Sequence, residues 1–246
     1  MKLFLIRHAQ SANNYLAEQA KLEEYMDQRS AEPPITEIGQ RQAQLVADHL
    51  ANEIHPELGQ ERGNIVQRGY GFTRLYCSPM LRTMQTALPI NKALGLKPQL
   101  WMDIHEHGGI FQGDPQKGTV VDHFGMTRPE MLDQFPGYEL CDEVTDKGWW
   151  PGGYEEMEGC YQRAQRVAER LREWGNTLPD ERIALVAHGT FMDALLKAIL
   201  GQDFASQFYY SHYNTAITRL DYTPRGFILL RYINRTEHLP ADLITR

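Results

Sequence analysis

Short apolar runs alternate along the chain with longer segments in which apolar residues recur three or four positions apart. The short runs predict buried β-strands, and the wider spacing predicts helices that bury one face. Strands are predicted at 3–6, 72–77, 100–104 and 183–187, with a final hairpin formed by 214–222 and 227–233. Helices are predicted at 36–52, 80–94, 155–174 and 191–200, with a weaker helical tendency at 15–27.

The predicted strands and helices alternate over most of the chain. Alternation of this kind is typical of a parallel sheet covered by helices on both faces, and the closing hairpin adds antiparallel strands. The predicted fold class is therefore α/β, a three-layer α/β/α sandwich with a mixed, mostly parallel sheet. A single domain over 1–246 suits this length. Segments 11–35 and 107–153 lack a steady period and are predicted to be inserted covers, and the Gly-rich, charged segment 55–71 is predicted to be a loop.

Composition excludes several classes of function. The net charge of −7 argues against a nucleic-acid-binding face, and no apolar stretch is long enough to span a membrane. The apolar run at 3–6 is too short for the core of a secretory signal. The odd number of scattered cysteines is typical of a reducing compartment and predicts a cytoplasmic protein without a disulfide framework.

Chemically active residues follow four of the predicted strands at their carboxyl ends. They are Arg7, His8 and Asn14 after the first strand, Ser78 and Arg82 after the second, Glu106 after the third, and His188, Gly189 and Thr190 after the fourth. In open α/β sheets, ligands bind at this edge. Arginines and helix N-termini suit a phosphoryl group, a neutral imidazole can attack phosphorus, and a carboxyl group can protonate a leaving oxygen. The set predicts phosphoryl transfer without a metal or other cofactor.

Motifs at these positions resemble those of a known family. They are, in chain order, RHAQSANN at 7–14, PITEIG at 34–39, SPMLRTMQTA at 78–87, AHG at 187–189, and the C-terminal segments NTAITRL at 214–220 and NRTEHL at 234–239. Together they resemble the histidine phosphatase superfamily, in its phosphoglycerate-mutase-like branch. Any one of these motifs is a weak signal, but their shared order over residues 3–239 is specific.

The resemblance implies a two-step mechanism. His8 would be the nucleophile and form a phosphohistidine, and Glu106 would protonate the leaving group and then deprotonate a water molecule. The groups implied to hold the phosphoryl oxygens or the substrate are Arg7, Arg82, His188, Asn14, Gly189 and Thr190. The chain departs from the family motif at Ala9, where glycine is usual, and at Gln10, where glutamate is usual. Neither position makes or breaks a bond in the implied reaction.

Alternative interpretations exist for two of these regions. His105 and His107 flank Glu106 and suggest a metal site, but on a strand both histidines would face away from Glu106 and no further ligand cluster completes the site. The aromatic residues of the long cover are predicted to form a small core of their own, with one or two of them lining the substrate pocket. They are Phe111, Phe124, Phe135, Tyr138, Trp149, Trp150 and Tyr154.

Three functions remain open: a phosphatase, a phosphoglycerate mutase, and a non-catalytic relative that binds a phosphorylated ligand. Between residues 107 and 155 the chain has three basic and nine acidic side chains. A mutase must bind a small trianionic substrate with this cover, so the net negative charge of the cover favours the phosphatase. The predicted partner is a small phosphorylated metabolite, not nucleic acid or a membrane. The motifs leave its identity open, and a homodimer is also left open.

Overall fold

The computed structural model describes residues 1–53 and 68–246. The strands are β1 Lys2–Arg7, β2 Arg74–Cys77, β3 Pro98–Leu100, β4 Phe111–Gln112, β5 Val121–Asp122, β6 Arg182–Ala187, β7 Ile217–Tyr222 and β8 Ile228–Arg235. The helices are α1 Ala12–Gln19, α2 Leu22–Gln28, α3 Glu37–Asn52, α4 Leu81–Leu94, α5 Arg128–Gln134, α6 Met157–Thr177 and α7 Gly189–Leu200. Most of the predicted loop at 55–71 lies outside the described residues.

Six strands form one mixed sheet in the order β3-β2-β6-β1-β7-β8. The pairs β2–β3, β2–β6 and β1–β6 are parallel, and the pairs β1–β7 and β7–β8 are antiparallel. The register sets Arg7 opposite Ala187 and Cys77 opposite Val186, so three predicted strand tips meet at one edge. This arrangement confirms the predicted fold class.

Alternate side chains of the central strands build two separate cores. Phe4 and Ile6 of β1 face a core that includes residues of α3 and α4. Leu3 and Leu5 face the other core, which includes residues of α6 and α7. Because successive side chains on a strand point to opposite faces, a continuous apolar run such as 3–6 requires cover on both sides. The three layers follow directly from this requirement.

Two predicted elements differ from the structure. The third strand was expected at 100–104, but β3 ends at Leu100, which pairs with the last residue of β2, Cys77. Beyond that point no partner strand continues, and residues Met102–Ile104 form a 3₁₀ turn that buries Ile104. The helical tendency at 15–27 is realised as two short helices, α1 and α2, which are separated by an extended step at Ala20 and Lys21.

The long cover contains β4, β5 and α5 and has its own apolar contacts. Phe135, Tyr138 and Trp149 are buried, but they join the main core that contains residues of α3 and α4 and do not form the separate small core that was predicted. Phe111 is also buried, and it contacts Tyr154 edge-to-face at a centroid distance of 4.8 Å. The cover is therefore packed onto the sandwich, which brings Phe111 and Tyr154 to the sheet edge that carries the motifs.

Candidate active site

His8 lies at the centre of the site, directly after β1. Its ring is buried (3 % exposed), and Nδ1 lies 2.8 Å from the carbonyl oxygen of Ala9. Since a carbonyl only accepts hydrogen bonds, Nδ1 carries the proton and donates it there. Nε2 is then unprotonated, and it accepts a hydrogen bond from Nε of Arg82 at 3.3 Å. The ring is therefore held in the tautomer whose Nε2 lone pair faces the arginine.

Burial lowers the pKa of His8 well below its usual value of 6.5, and the positive charges of Arg82 and Arg7 lower it further. The imidazole is consequently neutral at neutral pH. A neutral imidazole with a directed lone pair can act as a nucleophile, whereas an imidazolium cannot.

Two arginines flank His8. Arg82, in the first turn of α4, is buried together with His8. Arg7 is held by a hydrogen bond from Nη1 to the carbonyl oxygen of His212, and its buried Nε has no hydrogen-bond partner within the described part of the chain. Burial lowers the pKa of both arginines. Two desolvated guanidinium groups beside one imidazole form a strong anion site.

His188 lies behind His8, away from the cavity surface. The two ring centroids are 5.2 Å apart, and Nε2 of His188 lies 2.8 Å from Oγ of Ser78. The ring is completely buried and does not line the cavity. Its Nδ1 is buried and has no hydrogen-bond partner among the described residues, and the expectation that His188 holds phosphoryl oxygens stays a prediction.

The carboxylate of Glu106 bridges to the N-terminus of α7. Oε1 accepts hydrogen bonds from the backbone N–H groups of His107 and Phe191, both at 2.9 Å, and Oε2 accepts from that of Thr190 at 3.3 Å. The first-turn N–H groups of a helix have no partner inside the helix, and the oxygens of Glu106 accept those of Thr190 and Phe191. Glu106 is therefore tied to the element that follows His188.

Arg163 fixes the segment that precedes Glu106. Its Nη1 donates to the carbonyl oxygens of Asp103 and His105 at 2.7 and 2.8 Å. Its Nε and Nη2 form a bidentate salt bridge with the carboxylate of Glu155, at 2.9 and 2.6 Å. The backbone before Glu106 thus acquires its position from α6, since no strand extends that far.

The three predicted substrate-binding residues have different positions. Oδ1 of Asn14 accepts from the backbone N–H of Ser11 at 3.1 Å, while its Nδ2 makes no hydrogen bond to a described residue and its side chain lines the cavity. Thr190 also lines the cavity. Gly189 does not, and a Cβ at Gly189 would lie 3.3 Å from Nε of Arg7. Gly189 therefore makes room for Arg7 and lies off the cavity surface.

The two departures from the family motif leave the site intact. Ala9 does not adopt a positive φ, so its Cβ causes no backbone strain, and its N–H donates to Oγ1 of Thr86 at 3.0 Å. The buried side chain of Gln10 accepts from Oγ1 of Thr36 at 2.7 Å. Gln10 therefore stabilises the start of α3 at a distance from the nucleophile.

These groups surround a cavity of about 330 Å³. Besides the predicted residues, the cavity is lined by residues that sequence reasoning missed: Ser11, Asn13, Tyr25, Met26, Arg29, Ala31, Pro33, His107 and Gly109. Phe111 and Tyr154 also line it, as the predicted aromatic contribution of the long cover. The charged lining residues are Arg7, Arg29, Arg82 and Glu106. Only the chemistry of Arg29, the single arginine of segment 11–35, could have suggested its part in the site.

The expected orientation of the histidines beside Glu106 is wrong in one respect. Because no strand runs through 104–107, the alternation assumed for His105 and His107 does not apply. His107 lines the cavity beside Glu106, and its Nε2 lies 3.2 Å from the hydroxyl of Tyr154. Across residues 1–53 and 68–246, no cluster of three or more His, Cys, Asp or Glu residues is arranged to hold a metal ion.

The acidic residues of the long cover do not line the cavity. None of the nine acidic side chains between 107 and 155 lines it, and neither do the three basic ones. Glu155, for example, is paired with Arg163. The net charge of the cover therefore does not describe the charge that a ligand meets, which comes from β1, α4 and segment 11–35.

The buried histidines make stability depend on pH. Burial lowers the pKa of His8 and His188 well below 6.5, that of His212 to about 4 and that of His238 to about 3. Below pH 6.5 the unfolded chain binds more protons than the folded chain, so stability is expected to fall as the pH drops, by up to about 1.4 kcal/mol per histidine between pH 6 and 5. Urea unfolding at several pH values measures this slope.

A His238→Gln variant is the control for this pH dependence. It removes one of the shifted groups, so its stability should fall less steeply between pH 6 and 5 than that of the unmodified protein. A stability that stays level from pH 7 to pH 5 would contradict the assignment of these histidines as neutral.

Comparison with known proteins places the chain in a family. The sequence model of the histidine phosphatase superfamily (branch 1) matches residues 63–235, which is more than half of the chain. The protein therefore belongs to the histidine phosphatase superfamily. The matched segment contains Arg82, Glu106 and His188, whereas Arg7 and His8 lie before it and are assigned from their motif and from the geometry above.

Individual relatives match along most of the chain. The chain is 26% identical to phosphoserine phosphatase 1 of Hydrogenobacter thermophilus, over 97% of this chain and 94% of that one. It is 23% identical to the "Probable phosphoglycerate mutase GpmB" of Yersinia enterocolitica, over 90% and 85%. The crystal structure of the Entamoeba histolytica phosphoserine phosphatase with 3-phosphoglyceric acid superposes with a TM-score of 0.58 at 18% identity, over 97% of this chain and 99% of that chain.

The family and these relatives indicate phosphatase or mutase activity. The structural likeness, at this low identity, supports the fold alone. Within the described residues, no helix is long and apolar enough to cross a membrane.

Proposed function

We propose that this protein is a metal-independent phosphomonoester hydrolase that forms a phosphohistidine on His8. The observation that carries the proposal is the state of the His8 ring. It is neutral, its Nδ1 proton is donated to the carbonyl of Ala9, and its Nε2 lone pair faces the cavity arginine Arg82. A ring held in this way can attack phosphorus without first losing a proton.

In the first step, Nε2 of His8 attacks the phosphorus atom and the bond from phosphorus to the ester oxygen breaks. Glu106 gives its proton to that departing oxygen, and an alcohol leaves. In the second step, water attacks the phosphorus atom and passes a proton to Glu106 while the bond from phosphorus to Nε2 breaks. Inorganic phosphate leaves, and both residues return to their starting states.

The arginines Arg7 and Arg82 stabilise the phosphoryl oxygens in both steps. Arg82 donates to Nε2 of His8 in the empty site, so a bound phosphoryl group would take over this donor as it approaches the ring. The side-chain amide of Asn14 is a further donor on the cavity wall. Donors placed around the developing charge lower the barrier because they need no reorganisation during the reaction.

A phosphoglycerate mutase would use the same first step and then return the phosphoryl group to its substrate. Such an enzyme must exclude water with its cover. The long cover contributes no lysine or arginine to the cavity lining, which favours transfer to water.

An assay with p-nitrophenyl phosphate tests the proposal. The purified protein is expected to release p-nitrophenol and inorganic phosphate, and rapid quenching in base should trap a phosphoenzyme that acid hydrolyses. Incubation with 3-phosphoglycerate, with and without a bisphosphate primer, should release phosphate faster than it forms the 2-isomer. Absence of both turnover and phosphoenzyme would refute the proposal, and isomerisation without hydrolysis would establish the mutase instead.

A further inference from the structure

We infer that Arg29 binds a carboxylate on the leaving group, so that the substrates are short phosphomonoesters carrying a carboxylate. This inference rests on the proposed function, because it concerns the other end of the same substrate. Arg29 lies in segment 11–35, at the end of α2, and was not among the residues that the motifs predicted.

The Arg29 side chain is held in place by the long cover. Its Nη1 donates to the carbonyl oxygen of Phe111 at 3.0 Å, and its Cζ lies 3.9 Å above the centroid of the Phe111 ring. The amide of Gln112 in turn donates to the carbonyl oxygen of Arg29 at 3.4 Å. A guanidinium fixed on an aromatic face loses little conformational freedom when it binds a ligand.

The charge of Arg29 has no counter-ion in the described part of the chain. No described carboxylate lies within 4.0 Å of its nitrogen atoms. Arg163, Arg166 and Arg170 of α6, by contrast, are each paired with a carboxylate. Its Nε and Nη2 make no hydrogen bond to a described residue. The edge of the Arg29 guanidinium that carries Nε and Nη2 is therefore free to bind a planar carboxylate through two parallel hydrogen bonds.

Arg29 differs from the other two cavity arginines in its contacts. Arg82 donates to Nε2 of His8 and Arg7 directly precedes His8 at the end of β1, whereas Arg29 is held by Phe111 of the long cover. Arg29 is thus the cavity arginine on the side of the long cover. Its position suits the part of the substrate that leaves with the ester oxygen.

The surrounding walls strengthen this interaction. Tyr25, Met26 and Tyr154 line the same cavity, and their apolar surface reduces the screening of a charge pair by water. His8 and Arg29 line the same cavity of about 330 Å³, so one small ligand can contact both. A carboxylate a few bonds from the ester oxygen fits this arrangement.

Two probes that differ mainly in this group provide the test: 3-phosphoglycerate, which has a carboxylate, and glycerol 3-phosphate, which has a hydroxymethyl group in its place. In the Arg29→Gln variant, kcat/KM for 3-phosphoglycerate is expected to fall roughly 10- to 100-fold, while that for glycerol 3-phosphate should change less than about threefold. Arg29→Lys should restore part of the loss. Arg225→Gln, in the exposed turn between β7 and β8 at the opposite edge of the sheet, is the matched control and should leave both values unchanged.

The outcomes separate this inference from the proposed function. Equal losses on the two probes would overturn the inference, because Arg29 would then act on the phosphoryl group or on folding. No loss on either, or a preference of the unmodified protein for glycerol 3-phosphate, would also overturn it, and in both cases the phosphatase proposal would stand. If no substrate turns over, calorimetric binding of the two probes to the Arg29→Gln protein still decides the role of Arg29, while the proposed function has failed.

Discussion

Replacement of His8 by alanine is expected to lower kcat for p-nitrophenyl phosphate by at least about 10⁴-fold, to near the background rate. The variant loses the imidazole that lines the cavity and accepts a hydrogen bond from Nε of Arg82. The arginines should still bind phosphate, so inhibition by inorganic phosphate should persist while turnover and the trapped phosphoenzyme disappear. Steady-state rates and the rapid-quench experiment measure both effects.

His123→Ala is the matched control for this experiment. His123 lies in the long cover, and its Nε2 is 3.1 Å from Oε1 of Gln112, outside the cavity lining. Its replacement is expected to leave kcat within about twofold, as for surface changes generally. If the His8→Ala protein folds with an unchanged melting temperature and keeps its full rate, the covalent mechanism is wrong.

Replacement of Glu106 by glutamine should affect alkyl and aryl phosphates differently. The first step should become slow for an alkyl phosphate, and the second step should become slow for both. An alkyl phosphate such as glycerol 3-phosphate needs a proton on its leaving oxygen, so its turnover is expected to fall about 10³-fold. p-Nitrophenolate leaves without a proton, so the first step should stay fast while water attack becomes slow. Stopped-flow measurement should then show a burst of one p-nitrophenol per protein and an accumulated phosphohistidine.

Glutamine keeps one of the two oxygens, so it can still accept from the N–H of Phe191, while its NH2 group replaces the oxygen that accepts from Thr190. An unchanged melting temperature of the variant would show that the start of α7 remains intact. Glu139→Gln, on the exposed surface of the long cover, is the control and should show neither the loss nor the burst. A uniform slowing of the first step for aryl and alkyl phosphates would show instead that Glu106 positions the phosphoryl group and transfers no proton.

The central sheet was predictable because its pattern is local. The apolar run of β1 requires cover on both faces, and the structure places Phe4 and Leu5 in opposite cores. The strand predicted at 100–104 was wrong because its length depends on the partner β2, which ends at Cys77. A strand ends where it has no neighbouring strand to form hydrogen bonds with. The end of the neighbour cannot be read from the sequence of the strand itself.

The reacting end of the site was predictable for a similar reason. Arg7 and His8 follow β1 directly, and Arg82 follows β2 by one helical turn, so the parallel pairing of β1 and β2 with β6 brings them together. His188 shows the limit of this reasoning. A position at a strand tip predicts proximity to His8, but the depth of the ring behind His8 depends on the packing of Ser78 beneath it.

The residue pattern alone determined the α/β sandwich and the edge of the sheet at which Arg7, His8 and Arg82 meet, because strand periodicity and parallel pairing act over a few residues at a time. The tertiary structure alone decided which side chains of the two covers line the cavity. Arg29 and Phe111 are 82 positions apart, and neither segment has a period that orients its side chains. Their contact, the unpaired edge of the guanidinium and the absence of the cover's acidic residues from the cavity lining come from packing between distant segments, which no local pattern encodes.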